Sequence, residues 1–133
     1  MKYPNLLSLL ILIALVSCKN ESSSQNNLPA EGLVTVEQFS DLLKSDVQLI
    51  DVRTPQEFAG GYIADARNMN FHDSDFENQI STLDKSKAVL VYCKVGGRSG
   101  QAYDLLKSKG FEKVYDLQGG FTAWTSANKP FSK

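Results

Sequence analysis

The sequence predicts an α/β fold with a parallel sheet, and three features of the chain point to that class. Short apolar segments alternate with helical patterns from Leu33 onward, as strands and helices do in such a fold. Two segments, Val47 to Val52 and Ala88 to Tyr92, are nearly continuous in apolar residues, which is typical of strands covered on both faces. With 133 residues and 42% apolar content, the chain has room for one compact domain with an ordinary core.

The first helix is predicted after Thr35, which has the spacing of a capping box with Gln38. Its apolar residues recur at helical spacing and are Val36, Phe39, Leu42 and Leu43. The strand from Val47 to Val52 follows this helix.

A short second helix is predicted at Thr54 and Pro55, because proline is favoured in a first helical turn. Gly60-Gly61 interrupts the helical pattern and should end this helix. A small strand is predicted from Ala66 to Phe71.

Ser74 and Glu77 have the spacing of another capping box, which predicts a third helix. The strand from Ala88 to Tyr92 comes next. The apolar residues of the third helix are Phe76, Ile80 and Leu83.

The last part of the chain predicts a helix, a strand and a short helix. The helix extends from Ser99 to Lys109 and ends at Gly110, and the strand extends from Phe111 to Leu117. Gly119-Gly120 should let the final helix approach the sheet closely. Phe121 and Trp124 of that helix are expected in the core.

The N-terminus resembles a secretory signal peptide. Lys2 precedes an apolar run from Leu6 to Val16, which is too short to span a membrane as a helix. The run ends in Leu15-Val16-Ser17-Cys18, which resembles the bacterial lipobox, where the cysteine is lipidated. Ordinary cleavage, with Cys18 left free or lost, is the alternative.

These features divide the chain into three parts. Residues 1–17 are expected to be a lipoprotein signal peptide, residues 18–30 a lipidated cysteine and flexible tether, and residues 31–133 the folded domain. We therefore expect an exported protein, anchored to a membrane by its lipid and facing the periplasm or the cell exterior. The net charge of −1, with acids and bases interspersed, argues against nucleic acid as a partner.

The second cysteine, Cys93, follows a buried strand and precedes a helix, in the segment Cys93-Lys94-Val95-Gly96-Gly97-Arg98-Ser99, called here the cysteine loop. A thiol beside a helix N-terminus is favoured as the thiolate, and glycines let backbone N–H groups turn toward an anion. Lys94 and Arg98 add positive charge. A buried inert cysteine is the alternative interpretation.

Such a loop suits two reactions: holding a sulfur atom as a persulfide, or attacking a phosphate or arsenate. Four residues separate Cys93 from Arg98. Cysteine phosphatases typically have five residues at this point, which gives a wider cradle for a tetrahedral oxyanion. The loop length therefore favours sulfur and opposes a phosphatase or arsenate reductase.

The cysteine loop resembles the C-x-x-G-x-R-S active loop of single-domain rhodaneses. The segment from Leu49 to Phe58 resembles the first signature of that family, and the segment from Leu117 to Trp124 resembles its closing one. The resemblance covers Leu33 to Phe131 and implies a rhodanese-like fold, a five-stranded parallel sheet flanked by helices on both faces.

The resemblance also implies an activity of the thiosulfate sulfurtransferase type. Cys93 would accept sulfane sulfur from a small sulfur-containing anion and pass it to a thiol or cyanide. Residues Lys94, Val95, Gly96, Gly97, Arg98 and Ser99 would bind the substrate and stabilise the persulfide. No metal or organic cofactor is implied, and a redox or sulfur-relay protein is a candidate partner. A non-catalytic module that recruits a partner protein is the alternative.

Other polar residues near these motifs receive structural interpretations. Arg53 and Glu57, four residues apart near a helix start, are expected to brace the turn, and both are interpreted as structural, as is Asp51. Tyr62 stands where the family usually has histidine, and we expect it to affect local packing more than chemistry. His72, the single histidine, is expected to be a solvated loop residue.

Overall fold

The computed structural model describes residues 27–133. In this part the chain forms one sheet of five parallel strands and five helices, so the predicted fold class is confirmed. The strands are β1 (Gly32–Val34), β2 (Gln48–Asp51), β3 (Arg67–Asn68), β4 (Val89–Tyr92) and β5 (Val114–Leu117). The helices are α1 (Val36–Leu42), α2 (Pro55–Ala59), α3 (Phe76–Ser81), α4 (Gly97–Ser108) and α5 (Gly120–Ser126).

The signal peptide predicted for residues 1–17, Cys18 and the tether up to residue 26 lie outside the described residues. Within residues 27–133, no helix combines the length and the apolar character needed to cross a membrane.

The strand order β1-β5-β4-β2-β3 places the two most apolar strands, β2 and β4, side by side. From β2 the chain moves outward to β3, and from β4 it moves outward in the opposite direction to β5. Ligands of open α/β sheets bind at such a reversal, outside the carboxyl ends of the strands. Cys93 follows β4 at this edge of the sheet.

Each face of the sheet carries a separate hydrophobic core, because successive strand residues point to opposite faces. On one face β2 and β4 contact the buried residues of α3 and α4, which are Phe76, Ile80, Ala102 and Leu106. On the other face the sheet packs against α1 and α5 through Phe39 and Trp124. Helices therefore cover both faces, as expected.

The helix starts agree with two predictions and correct a third. Thr35 forms the predicted capping box of α1, and Thr54 forms one with Glu57 at the start of α2. The capping box of Ser74 with Glu77 is wrong. The N-cap of α3 is Asp75, one residue later, and its side chain makes no capping hydrogen bond.

Two element boundaries also differ from the sequence expectation. α4 begins at Gly97, before Ser99, because Gly96 takes a left-handed φ of 122° and starts the helix immediately. β5 begins at Val114, after the buried Phe111, because the intervening backbone bonds elsewhere: Glu112 donates its N–H to the carbonyl of Lys85.

Candidate active site

Cys93 lies directly after β4 with 1% of its surface exposed, and α4 begins at Gly97. The strand therefore delivers the thiol to the N-terminus of the longest helix in residues 27–133, as the sequence predicted. The predicted substrate-binding residues Lys94, Val95, Gly96, Gly97, Arg98 and Ser99 form the connection and the first turn of α4.

Hydrogen bonds surround the sulfur of Cys93. The Gly96 N–H donates to Sγ over 3.0 Å, and Sγ lies 3.4 Å from Ser99 Oγ, to which the thiol donates. Burial acts to raise the pKa of the Cys93 thiol, but hydrogen bonds from Ser99, Gly96 and Val95 outweigh it, so the pKa is lowered. The site thus favours a thiolate even though the sulfur is buried.

Position 96 needs glycine because of its backbone conformation and not because a side chain would clash there. Its φ of 122° is one that side-chain-bearing residues rarely adopt, while a Cβ built on it would meet nothing within 4 Å. This conformation turns the Gly96 N–H toward Sγ. The glycine expected to curl the loop is therefore placed as the sequence predicted.

The N-terminus of α5 holds the outer side of the cysteine loop. The Phe121 N–H donates to the carbonyl of Cys93 over 2.8 Å, and the Thr122 N–H donates to the carbonyl of Lys94 over 3.0 Å. A Cβ on Gly120 would lie 2.5 Å from the Cys93 carbonyl oxygen, so only glycine permits this approach. The close approach expected of Gly119-Gly120 is made to the loop at the edge of the sheet.

The tip of the loop is open to solvent. Lys94 is exposed, and Val95 is exposed at 63%, the highest value among the large hydrophobic residues that are exposed in residues 27–133. The tip therefore presents the positive charge of Lys94 and the apolar side chain of Val95 to solvent.

Arg98 is engaged by Glu57 of α2. Its two terminal nitrogens donate to the two carboxylate oxygens over 2.7 and 3.0 Å, a bidentate pair that is partly exposed on both sides. The Arg98 guanidinium holds the pKa of Glu57 at about 2. Arg98 also lies near enough to Cys93 for the sulfur charge to contribute to a raised pKa of Arg98.

Arg53 and Glu57 both brace the start of α2, as expected, but they do not pair with each other. Arg53 pairs instead with Asp51, with Nη2 at 2.6 Å from Oδ2, and both side chains are buried. Its guanidinium lies 4.3 Å from the centroid of the Phe121 ring and also donates to the carbonyl of Gly61. Because Arg53 pairs with Asp51, two residues before it, the Glu57 carboxylate can pair with Arg98.

Asp116 of β5 belongs to the site but was not predicted. It is 5% exposed, and in residues 27–133 its Oδ1 has no hydrogen-bond partner. Burial raises the pKa of Asp116 to about 6, and interaction with the Ser99 hydroxyl acts in the opposite direction. An acidic residue within the apolar strand Val114–Leu117 was the available signal.

The remaining aromatic residues have structural surroundings. Tyr62 stacks on Phe58 of α2 at 4.1 Å between ring centroids, and its backbone pairs with Ser132. His72 is exposed, and Trp124 is buried and donates its Nε1–H to the carbonyl of Pro130.

Across the described part of the chain, no group of three or more His, Cys, Asp or Glu side chains is placed to hold a metal ion.

Comparison with known proteins connects this geometry with a family. The sequence model of the Rhodanese-like domain matches residues 35–127, which include the whole cysteine loop, α2 and β5. A sulfurtransferase of Allochromatium vinosum is 39% identical over 64% of this chain and 78% of its own length. The thiosulfate sulfurtransferase GlpE of Pseudomonas aeruginosa is 35% identical over 70% of this chain and 83% of its own.

The fold is also similar to solved structures. The crystal structure of a rhodanese-related protein from Thermoplasma volcanium aligns with a TM-score of 0.68 and 26% identity. The alignment covers 74% of this chain and 95% of that protein.

Replacement of Asp116 by asparagine should stabilise the protein at pH 7.5. The pKa of Asp116 is raised from 3.8 to about 6 by folding, so its contribution favours the folded state below pH 3.8 and is lost as the pH rises through about 6. Asparagine removes the buried charge and should raise the free energy of unfolding by up to about 3 kcal/mol.

Urea unfolding of both proteins between pH 4 and 8 measures this difference, with Asp104→Asn as the control at an exposed acid of α4. The gain should shrink toward pH 4. A gain that is absent, or equal at every pH, would show that Asp116 is not a buried charge.

Proposed function

The chain belongs to the Rhodanese-like domain family, and on that premise we propose that it is a sulfurtransferase that carries sulfane sulfur as a persulfide on Cys93. The observation that carries the proposal is the position of Sγ under N–H donors at the start of α4. A buried cysteine kept only for packing would need no such donors.

The first half-reaction is an attack by the Cys93 thiolate on the terminal sulfur of a donor such as thiosulfate. A sulfur–sulfur bond forms at Sγ, and the bond to the sulfonate group breaks, so that sulfite leaves with the electron pair. In the second half-reaction an acceptor thiolate or cyanide attacks the outer sulfur. The electron pair of that bond returns to Sγ.

The loop contacts support sulfur over an oxyanion as the bound group. The Gly96 N–H is already directed at Sγ itself, 3.0 Å away, and Val95 and Ser99 also contribute hydrogen bonds to the sulfur. These donors suit an anion on or directly beyond Sγ, which is the charge that a persulfide carries. Lys94, exposed at the tip, suits the attraction of an anionic donor.

Treatment of the purified protein with thiosulfate should add the mass of one sulfur atom, and cyanide should remove it. Cys93→Ser should abolish the gain, whereas Cys18→Ser, the matched control at the other cysteine, should leave it intact. Intact mass spectrometry under non-reducing conditions is the measurement. A free Cys93 thiol that gains no sulfur would contradict the proposal for thiosulfate as donor.

Arg98 is proposed to bind the anionic donor after leaving Glu57. Arg98→Gln should raise the KM for thiosulfate about 10-fold, because a charged hydrogen bond to the donor is lost. Glu57→Gln should lower that KM about 2- to 5-fold, because Arg98 no longer has to leave a partly exposed ion pair. Glutamine can still accept the hydrogen bond of the Thr54 N–H.

The two variants break the same ion pair and are therefore matched. Steady-state sulfur transfer from thiosulfate to cyanide measures both KM values. A rise in KM of similar size in both variants would mean that the pair only supports the fold and that Arg98 does not touch the donor.

We further propose that the protein is exported and lipidated on Cys18, from the apolar run and the lipobox resemblance of residues 1–18. Growth of an expressing bacterium with an alkyne-labelled fatty acid should label the wild-type protein and leave Cys18→Ser unlabelled. Cys93→Ser is the control and should be labelled normally. Wild-type protein that is unlabelled and soluble in the cytoplasm would contradict export.

A further inference from the structure

The sulfurtransfer mechanism above makes no use of Asp116, although its strand β5 lies beside β4, which is followed by Cys93. Asp116 pairs with Val91 of β4 across the sheet, two residues before Cys93, and lies on the face covered by α4. A Cβ built on Gly100 would lie 3.9 Å from Asp116 Oδ2, which places the carboxylate under the first turn of α4. Ser99 belongs to the same turn.

Ser99 contacts both groups through one hydroxyl. Its Oγ lies 3.4 Å from Sγ and donates to the Gly96 carbonyl over 3.2 Å, and it also interacts with the Asp116 carboxylate. A hydroxyl has a single proton to donate. Ser99 therefore cannot satisfy an anionic sulfur and an ionised Asp116 at the same time.

Asp116 also lacks the partner that a structural buried carboxylate would have. It forms no ion pair with any Lys or Arg of residues 27–133, in contrast to Asp51, which is buried with Arg53. The titratable groups on the same face of the sheet are Cys93, which follows the adjacent strand β4, and Tyr103 of α4. Burial raises the pKa of Tyr103, and the charge of Asp116 adds to that rise. From β1 it faces the apolar Leu33.

Two negative charges, on Asp116 and on the sulfur, would share this buried space without a cation directed at both. We propose that Asp116 is a positioning residue that takes up a proton when the sulfur on Cys93 becomes anionic, and returns it when the sulfur group leaves, with the Ser99 hydroxyl connecting the two. This inference rests on the proposed sulfurtransferase function.

The proton balance closes over the two half-reactions. Before the reaction the buried pair holds one proton, which is on Cys93 when Asp116 is ionised. Transfer of the thiol proton to Ser99 Oγ, and of the Ser99 hydroxyl proton to Asp116, produces the thiolate. This thiolate attacks thiosulfate and leaves an anionic persulfide, a neutral Asp116 and sulfite. When cyanide removes the outer sulfur as thiocyanate, the proton returns to Cys93. The buried pair carries one negative charge in both states.

The experiment is the pH dependence of Cys93 alkylation by iodoacetamide in the full-length protein, which needs no sulfur donor. Asp116→Asn removes the competing charge and should lower the pH at which Cys93 reacts, with alkylation about 10-fold faster at pH 7. Asp104→Asn, at an exposed acid of α4, should not change the profile. Ser99→Ala should slow alkylation, and adding Asp116→Asn to it should have a smaller effect than in the wild type.

An unchanged alkylation profile in Asp116→Asn, or slower alkylation, would overturn the proposal. Infrared difference spectra then test proton uptake: persulfide formation should produce a protonated carboxyl band in the wild type that Asp116→Asn lacks. Protein alkylated on Cys93 should also lack this carboxyl band, because its sulfur is neutral. A persulfide formed without this band would overturn the proposal. The expected alkylation profile without any sulfur gain from thiosulfate would support the Cys93–Asp116 coupling and refute the proposed function for that donor.

Discussion

The attachment of the cysteine loop to the N-terminus of α5 is the constraint on which the site depends. In a trans peptide the carbonyl of one residue and the N–H of the next point in opposite directions. Because the Lys94 carbonyl is held by the Thr122 N–H, the Val95 N–H is turned away from α5 and toward the sulfur, where it contributes a hydrogen bond. Gly96 continues the turn. The hydrogen bonds that α5 donates to the loop carbonyls thus set the direction of the N–H groups within the loop.

The buried pair of Asp51 and Arg53 extends this constraint to the neighbouring strand. Arg53 follows β2, and its guanidinium lies over the ring of Phe121. The backbone N–H of Phe121 donates to the Cys93 carbonyl. An ion pair buried without such contacts gives little net stability. Here it fixes the position of α5 relative to β4. This explains why the segments around Asp51 and Gly119, far apart in the sequence, accompany the same cysteine.

Local chemistry decided which features the sequence could predict. The predicted features depend on residues within a few positions of each other: the order of elements, the capping box of Thr35, the helix start at Thr54 and the cysteine loop. The partners of Arg53 and Arg98 depend on competition between carboxylates that only the folded chain brings together. Glu57 pairs with Arg98 of another helix, and the spacing of four between Arg53 and Glu57 could not reveal that partner.

Asp116 could be noticed but not interpreted from the sequence, since its meaning depends on which residue α4 places above it. The positive charge of Arg98, which interacts with that of the sulfur, is bound to Glu57. The anion on Cys93 therefore depends on backbone amides and on one hydroxyl. These fixed amides can stabilise one anion, on the sulfur, but not a second negative charge beside it. A buried carboxylate next to such a site must therefore either pair with a cation or become protonated when the sulfur is anionic. Asp116 has no cationic partner among residues 27–133, so protonation is the alternative that is left to it.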